Sequence, residues 1–116
     1  MQMTVSELDA STKRVTLIGK LDLAGAAAIE LPLATVAGTR SNVVIDMTGV
    51  DFIASIGIRH LVMAAKAIAR GAGKLVLLGT TPMVADVLVT SGLEQILPMV
   101  RSEDEARAIF AGTGSA

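Results

Sequence analysis

The sequence contains no cysteine, no tryptophan and no tyrosine, and only two phenylalanines. Without thiols there are no disulfides, no thiol nucleophile and no thiolate metal ligand. Without aromatics the core must be aliphatic, and the stacking platforms that hold single-stranded nucleic acid are missing. Ten Lys and Arg stand against eleven Asp and Glu, a formal net charge of −1. The basic residues are scattered, so no nucleic-acid stripe and no polybasic membrane patch is formed. The longest charge-free runs, such as residues 75–85, fall short of the roughly 18 apolar residues that a membrane helix needs. Met1-Gln-Met-Thr carries no basic-then-apolar leader. The expectation is a cytoplasmic protein with neither nucleic acid nor membrane as partner. His60 is the sole histidine and builds no metal site alone, so no metal and no cofactor is implied.

What is present is a chain of 116 residues, 52% hydrophobic, of a size that fits one domain, residues 1–116, with a real core. Residues 3–9 alternate loosely and residues 13–19 alternate better, with Val15 and Leu17 facing one way and Arg14, Thr16 and Ile18 the other. With Ala10-Ser-Thr between them they predict an antiparallel hairpin. Residues 23–37 form a helix with Asp22 as N-cap and Glu30 as its only charge. Pro32 predicts a kink or a break inside it. A helix so poor in charge hides more than one face, either deep in the fold or partly against another protein; burial is the expectation.

A turn at Gly38-Thr-Arg-Ser-Asn leads to a central strand over residues 43–47 and a second helix over 56–70. With Ile58 at the centre of its inner face, Leu61, Val62, Ala65, Ile68 and Ala69 fall within about 80° on a helical wheel. The opposite face holds Arg59, His60, Met63, Ala67 and Arg70, together with Ile56. Ile56 and Met63 are apolar where a lone domain has no need of them, which makes them candidates for a docking patch. Gly71-Ala-Gly73 closes the helix with left-handed caps. Residues 75–78 form an apolar strand, and Thr80-Thr-Pro82 starts a third helix that ends at Ser91-Gly92. A brief last strand is placed around Ile96-Leu97. Ser102-Glu-Asp-Glu105 opens a terminal helix with a capping box, and residues 112–116 are a frayed tail. The order β-β-α-β-α-β-α-β-α predicts a small mixed α/β sheet of four to five strands with about four helices packed against it.

The organising stretch runs over residues 43–61, from an apolar strand through Asp46 and Asp51 to a helix that begins at Ala54-Ser55. A hydroxyl there is an N-cap, a phosphoacceptor, or both: a cap satisfies a free first-turn N–H, and a phosphate at the same place is favoured by the helix dipole. Catalytic patterns are lacking. Gly71-Ala-Gly-Lys74 has neither the residue after Lys nor the strand-to-helix setting of a phosphate loop. His60 is not aimed back at Ser55, and no nucleophile elbow is present. Asp22, Asp46 and Asp51 without a second ligand type read as caps and turns. The protein is not expected to be an enzyme.

Gly19-x-Leu-Asp22, Val44-Ile-Asp-x-x-x-Val-x-Phe-Ile, Ala54-Ser55-x-Gly57-Ile58, Gly73-x-Leu-Val-Leu, Pro82 and Ser91-Gly92-Leu93, in this order and spacing, resemble a STAS domain. In particular the chain is similar to the stand-alone anti-sigma-factor antagonists of bacterial partner-switching systems. That resemblance implies a STAS-type fold and a phosphorylation-gated antagonist. The unmodified form binds a GHKL-type serine kinase that doubles as anti-sigma factor, phosphorylation at the start of the second helix releases it, and a metal-dependent serine phosphatase resets it. By position, Ser55 matches the phosphoacceptor, Gly57 the motif glycine and Asp22 the acidic residue of the first loop. The motif's Asp is Ala54 here and its second hydroxyl residue is Ile56. Joined to the outer face of the second helix, with its docking candidates Ile56 and Met63 and with Arg59 placed to pair with a phosphate, the expected partner surface comprises Asp22, Ala54, Ser55, Ile56, Gly57, Arg59 and Met63. These two departures favour a second reading, an unphosphorylated STAS subunit that scaffolds a larger transport or signalling assembly.

Overall fold

The computed structural model describes residues 1–112. The tail expected from residue 112 lies, beyond that residue, outside the described part. The hairpin forms as its alternation predicts. β1 (Gln2–Asp9) pairs antiparallel with β2 (Thr12–Leu21), and Val15 and Leu17 are wholly buried while Ile18 is exposed. β3 (Asn42–Ile53), β4 (Leu75–Leu78) and β5 (Met99–Val100) follow in parallel, giving one mixed five-stranded sheet in the order β1-β2-β3-β4-β5.

Helices α1 (Leu23–Ala37), α2 (Ser55–Arg70) and α3 (Pro82–Thr90) cover one face of the sheet, over a core centred on Leu17, Ile45, Met47 and Leu77. The other face has a smaller cluster, Val44, Val76, Leu78 and Val100, closed by Ala106 of α4 (Glu103–Phe110). α1 and α2 each join neighbouring parallel strands, so they lie side by side and run in the same direction. No helix among the described residues is long and apolar enough to cross a membrane.

Several expectations are corrected. α1 runs unbroken through Pro32. It also buries only one face: Ala26, Ile29, Leu33 and Val36 are covered, whereas Leu23 and Leu31 are 73% and 77% exposed. β3 does not stop at Met47. After Asp46 it leaves β4 and continues beside β2 alone as far as Ile53, through register shifts near Gly49. The buried stripe of α2 is Gly57, Leu61, Ala64 and Ile68, roughly a quarter turn from a stripe centred on Ile58. Ala69 is exposed, and Ile56 is half-buried against the main core.

The left-handed residue after α2 is Ala72 (φ +67°), not a glycine, in a Schellman arrangement where Gly73 N–H donates to the Ile68 carbonyl. Gly73 is needed for closeness instead, since a Cβ there would lie 2.5 Å from the Ser41 carbonyl oxygen. The last strand is three residues later than expected, because residues 93–97 turn back on themselves to bury Leu97. The capping box of α4 is half formed: Ser102 Oγ accepts from Glu105 N–H, while the Glu105 carboxylate accepts from Arg101 N–H, one residue before the cap.

Candidate functional site

β2 and β3 end together. Leu21 lies opposite Ile53, and Ala54 N–H donates to the Leu21 carbonyl at 2.9 Å. Each strand gives way at once to a helix, which brings the starts of α1 and α2 to the same end of the sheet. Asp22 caps α1 as its sequence position predicts, its Oδ1 accepting from Gly25 N–H at 2.8 Å. Gly57 sets the approach of α2. A Cβ there would meet Leu21 Cγ at 2.5 Å and the Leu21 carbonyl oxygen at 2.9 Å, so the first turn of α2 rests directly on the last residue of β2. Thr81 Oγ1 donates to the Val50 carbonyl at 3.0 Å and braces the far end of β3 from the start of α3.

Ser55 is not the cap of α2. Ala54 holds the cap position, in extended backbone with no side-chain bond to the helix, and its carbonyl accepts from Ile58 N–H at 3.1 Å. Ser55 is the first helical residue and is exposed, and its hydroxyl makes no hydrogen bond to any described residue. The first-turn N–H groups of α2 therefore have no side-chain partner, and the positive end of this helix faces outward beside an accessible hydroxyl.

The other residues of the implied surface divide. Arg59 is exposed and makes no ion pair with a described residue; Met63 is exposed; Gly57 is buried; Ile56 is half-buried. What the residue pattern missed is the contribution of α1. Leu31, on α1, and Met63, on α2, stand at the lips of a groove of about 460 Å³ between the two helices, floored by Leu33, Ala34, Ala64 and Ala67. The signal was the near absence of charge along α1, which fits an exposed apolar face as well as burial.

The three aspartates do not meet. Asp46 lies on the opposite face of the sheet, where it accepts from Thr48 N–H, Thr48 Oγ1 and the Arg14 guanidinium. Burial by itself would raise the Asp46 carboxyl, but the bonds from Thr48 and then Arg14 outweigh it and hold the group below its ordinary value. Among the described residues no group of three or more His, Asp or Glu could hold a metal ion.

Residues 5–106 match the model of the STAS domain family. Across 95% of both chains, 111 residues are 32% identical to BtrV of Bordetella bronchiseptica, provisionally named an anti-sigma factor antagonist. Among solved structures, an anti-sigma factor antagonist from Mycobacterium paratuberculosis superposes with a TM-score of 0.82 at 21% identity, over 95% of this chain and 93% of that one. The anti-sigma factor antagonist SpoIIAA in its unphosphorylated form gives 0.75 at 21% identity, over 96% and 97%. SpoIIAA of Bacillus in its phosphorylated form gives 0.70 at 20% identity, over 93% and 98%. These last likenesses establish that the fold is shared.

Proposed function

The chain belongs to the STAS domain family, and from that premise we propose that it is a phosphorylation-gated anti-sigma-factor antagonist, a single STAS domain over residues 1–116 that works in the cytoplasm by binding and not by catalysis. Unmodified, it captures a GHKL-type serine kinase that serves as anti-sigma factor; with Ser55 phosphorylated it lets go, and a metal-dependent serine phosphatase returns it to the binding form. The names of BtrV and SpoIIAA support the antagonist role, and SpoIIAA's phosphorylated form supports the gating.

The observation that carries the reading is Ser55 itself: an exposed hydroxyl, bonded to none of the described residues, on the first residue of a helix whose N–H groups lack a side-chain cap among them. A phosphate on Ser55 Oγ finds those N–H groups and the helix dipole waiting, so the free protein carries it without strain. The neighbouring surface is apolar at Met63 and the rim of Ile56, with Asp22 at the adjoining helix start. A partner that covers this surface excludes water, and a dianion trapped there loses its hydration and meets the partner's contacts unpaired. A penalty of a few kcal/mol weakens binding about a hundredfold or more. Arg59, which makes no ion pair with a described residue, pairs with the phosphate in the free protein. Ala54 in place of the family's Asp removes a charge beside the acceptor, which leaves the unmodified surface more readily covered.

The test is Ser55→Asp. Capture of the kinase in a pull-down is expected to disappear while the melting temperature stays level, an acid at the first helical residue being compatible with the dipole. Incubation with the kinase and ATP is expected to add one phosphate by intact mass, and Ser55→Ala to add none. Undiminished capture by Ser55→Asp, with no phosphate on protein purified from its own cells, would instead favour the scaffold subunit to which the substitutions at Ala54 and Ile56 point.

A further inference from the structure

We infer that the groove between α1 and α2 seats an amphipathic helix of the partner, laid along the two helices with an apolar ridge inward and carboxylates on the rim that meets α2. The inference rests on the binding-module reading above and names the chemistry of the segment that is bound.

Two observations carry it. The first is shape. α1 and α2 lie side by side, and the groove between them, lined over residues 30–37 of the one and 60–70 of the other, has an apolar floor with Leu31 (77% exposed) and Met63 (59% exposed) raised on its two lips. A helix of about sixteen residues spans roughly 24 Å, and a ridge of side chains spaced three and four apart fits such a channel. No free strand edge borders this groove, so an added strand finds no backbone ladder there.

The second is charge. Every charged residue of α2 is a cation, Arg59, Lys66 and Arg70, and α1 carries Glu30 alone. At the far end Arg40 lies against Gly71, its Cγ 3.5 Å from where a Cβ would stand. All ion pairs among the described residues take their cation from Lys13, Arg14 or Arg107, on β2 and α4; Arg40, Arg59 and Arg70 make none. In a protein of net charge −1 the lip at Met63 thus shares its helix with cations only, Arg70 among them lining the groove, whereas the lip at Leu31 has Glu30 beside it. Carboxylates on the α2 side of an apolar ridge complement that lip, and lysines there would be repelled by it.

The experiment uses the full chain and two synthetic helical peptides of about sixteen residues, each with leucines at i, i+4, i+7 and i+11, one flanked by glutamates and one by lysines, titrated by fluorescence anisotropy. The glutamate peptide is expected to bind, with the lysine peptide at least about tenfold weaker at low salt and the gap closing as salt rises. Leu31→Glu and Met63→Glu, both on exposed positions that leave the fold intact, are each expected to weaken the glutamate peptide tenfold or more. The pair Arg59→Glu with Arg70→Glu is expected to reverse the preference. Equal binding of the two peptides, no saturable binding, or indifference to Leu31→Glu and Met63→Glu overturns the inference. So does a dimer in sedimentation velocity that Leu31→Glu dissociates, which gives the groove to a second copy, or co-sedimentation with phosphatidylserine vesicles that Leu31→Glu abolishes, which gives it to a membrane surface. Titration of Ser55→Asp separates the two readings: a glutamate peptide that binds it as well as wild type keeps the groove and removes the switch.

Discussion

Gly57 leaves no room for a side chain, and that single fact fixes where Ser55 stands. A methyl group added there must push against Leu21 Cγ, which can turn aside, and against the Leu21 carbonyl, which cannot because Ala54 N–H is bonded to it. Gly57→Ala is therefore expected to lower stability by about 1–3 kcal/mol, measured by urea denaturation, as overpacked sites do. Measured in a Leu21→Ala background, the penalty of Gly57→Ala is expected to shrink only in part, since the clash with the carbonyl remains; its complete disappearance would mean that α2 is not seated on the backbone of β2. Asp22 was legible from sequence because its work is local, a bond to an N–H three residues on. Ser55 was legible as the head of a helix but not as an uncapped one. The hydroxyl residue is the natural cap by preference, whereas the start of α2 is set one residue earlier, by Ala54 N–H pairing with the distant Leu21.

At the scale of elements, α1 keeps its helix across Pro32 because the disruption falls on the wet side. Pro32 and Ala28, whose carbonyl loses its N–H partner to the ring, are both exposed, so water takes the orphaned oxygen. Pro32→Ala is expected to raise stability by about 1–3 kcal/mol, seen as a higher melting temperature, because helix propensity is restored while the buried face of α1 stays as it is. A lower melting temperature would show that the proline holds a bend on which the packing of Ile29 and Leu33 depends. The other departures from the sequence pattern have the same origin, a partner remote in the chain. Thr48, Gly49 and Asp51 break the strand period, yet β3 continues because β2 runs on beside it to Leu21. The buried stripe of α2 escaped a hydropathy wheel because Gly57, one of its members, has no side chain to count. Hairpin, α1 boundaries, β4 and the Pro82 start of α3 rest on local signals and emerge as predicted.

The molecule as a whole is divided in its electrostatics. One side of the sheet spends its cations internally: Arg14 binds Asp46 and lies 3.7 Å from Glu103, and Arg107 joins Asp9 at 2.8 Å and Glu103 at 3.3 Å, which fastens α4 over the small second core. The other side, around α1 and α2, leaves its cations open. The closed side therefore governs acid stability. Asp46 is held below its ordinary value of 3.8 in the folded chain, so the folded state binds its proton less readily than the unfolded one. The resulting stability is complete above that ordinary value and is lost as pH falls through it towards the lower folded value. Asp9, held down by Arg107 and then by Ser11, acts in the same direction, so wild type loses stability in acid with or without Asp46. The variant Asp46→Asn isolates the one group. Asparagine still accepts from Thr48 but offers Arg14 no charge, and near pH 7 it is expected to be less stable by about 1–3 kcal/mol. In denaturation curves at successive pH values, that gap is expected to narrow steadily below about pH 4, where wild type too becomes protonated at this site. A gap that stays constant into stronger acid would mean that Asp46 contributes by shape and hydrogen bonding alone, and that its ion pair with Arg14 adds nothing to the hold of β2 on β3.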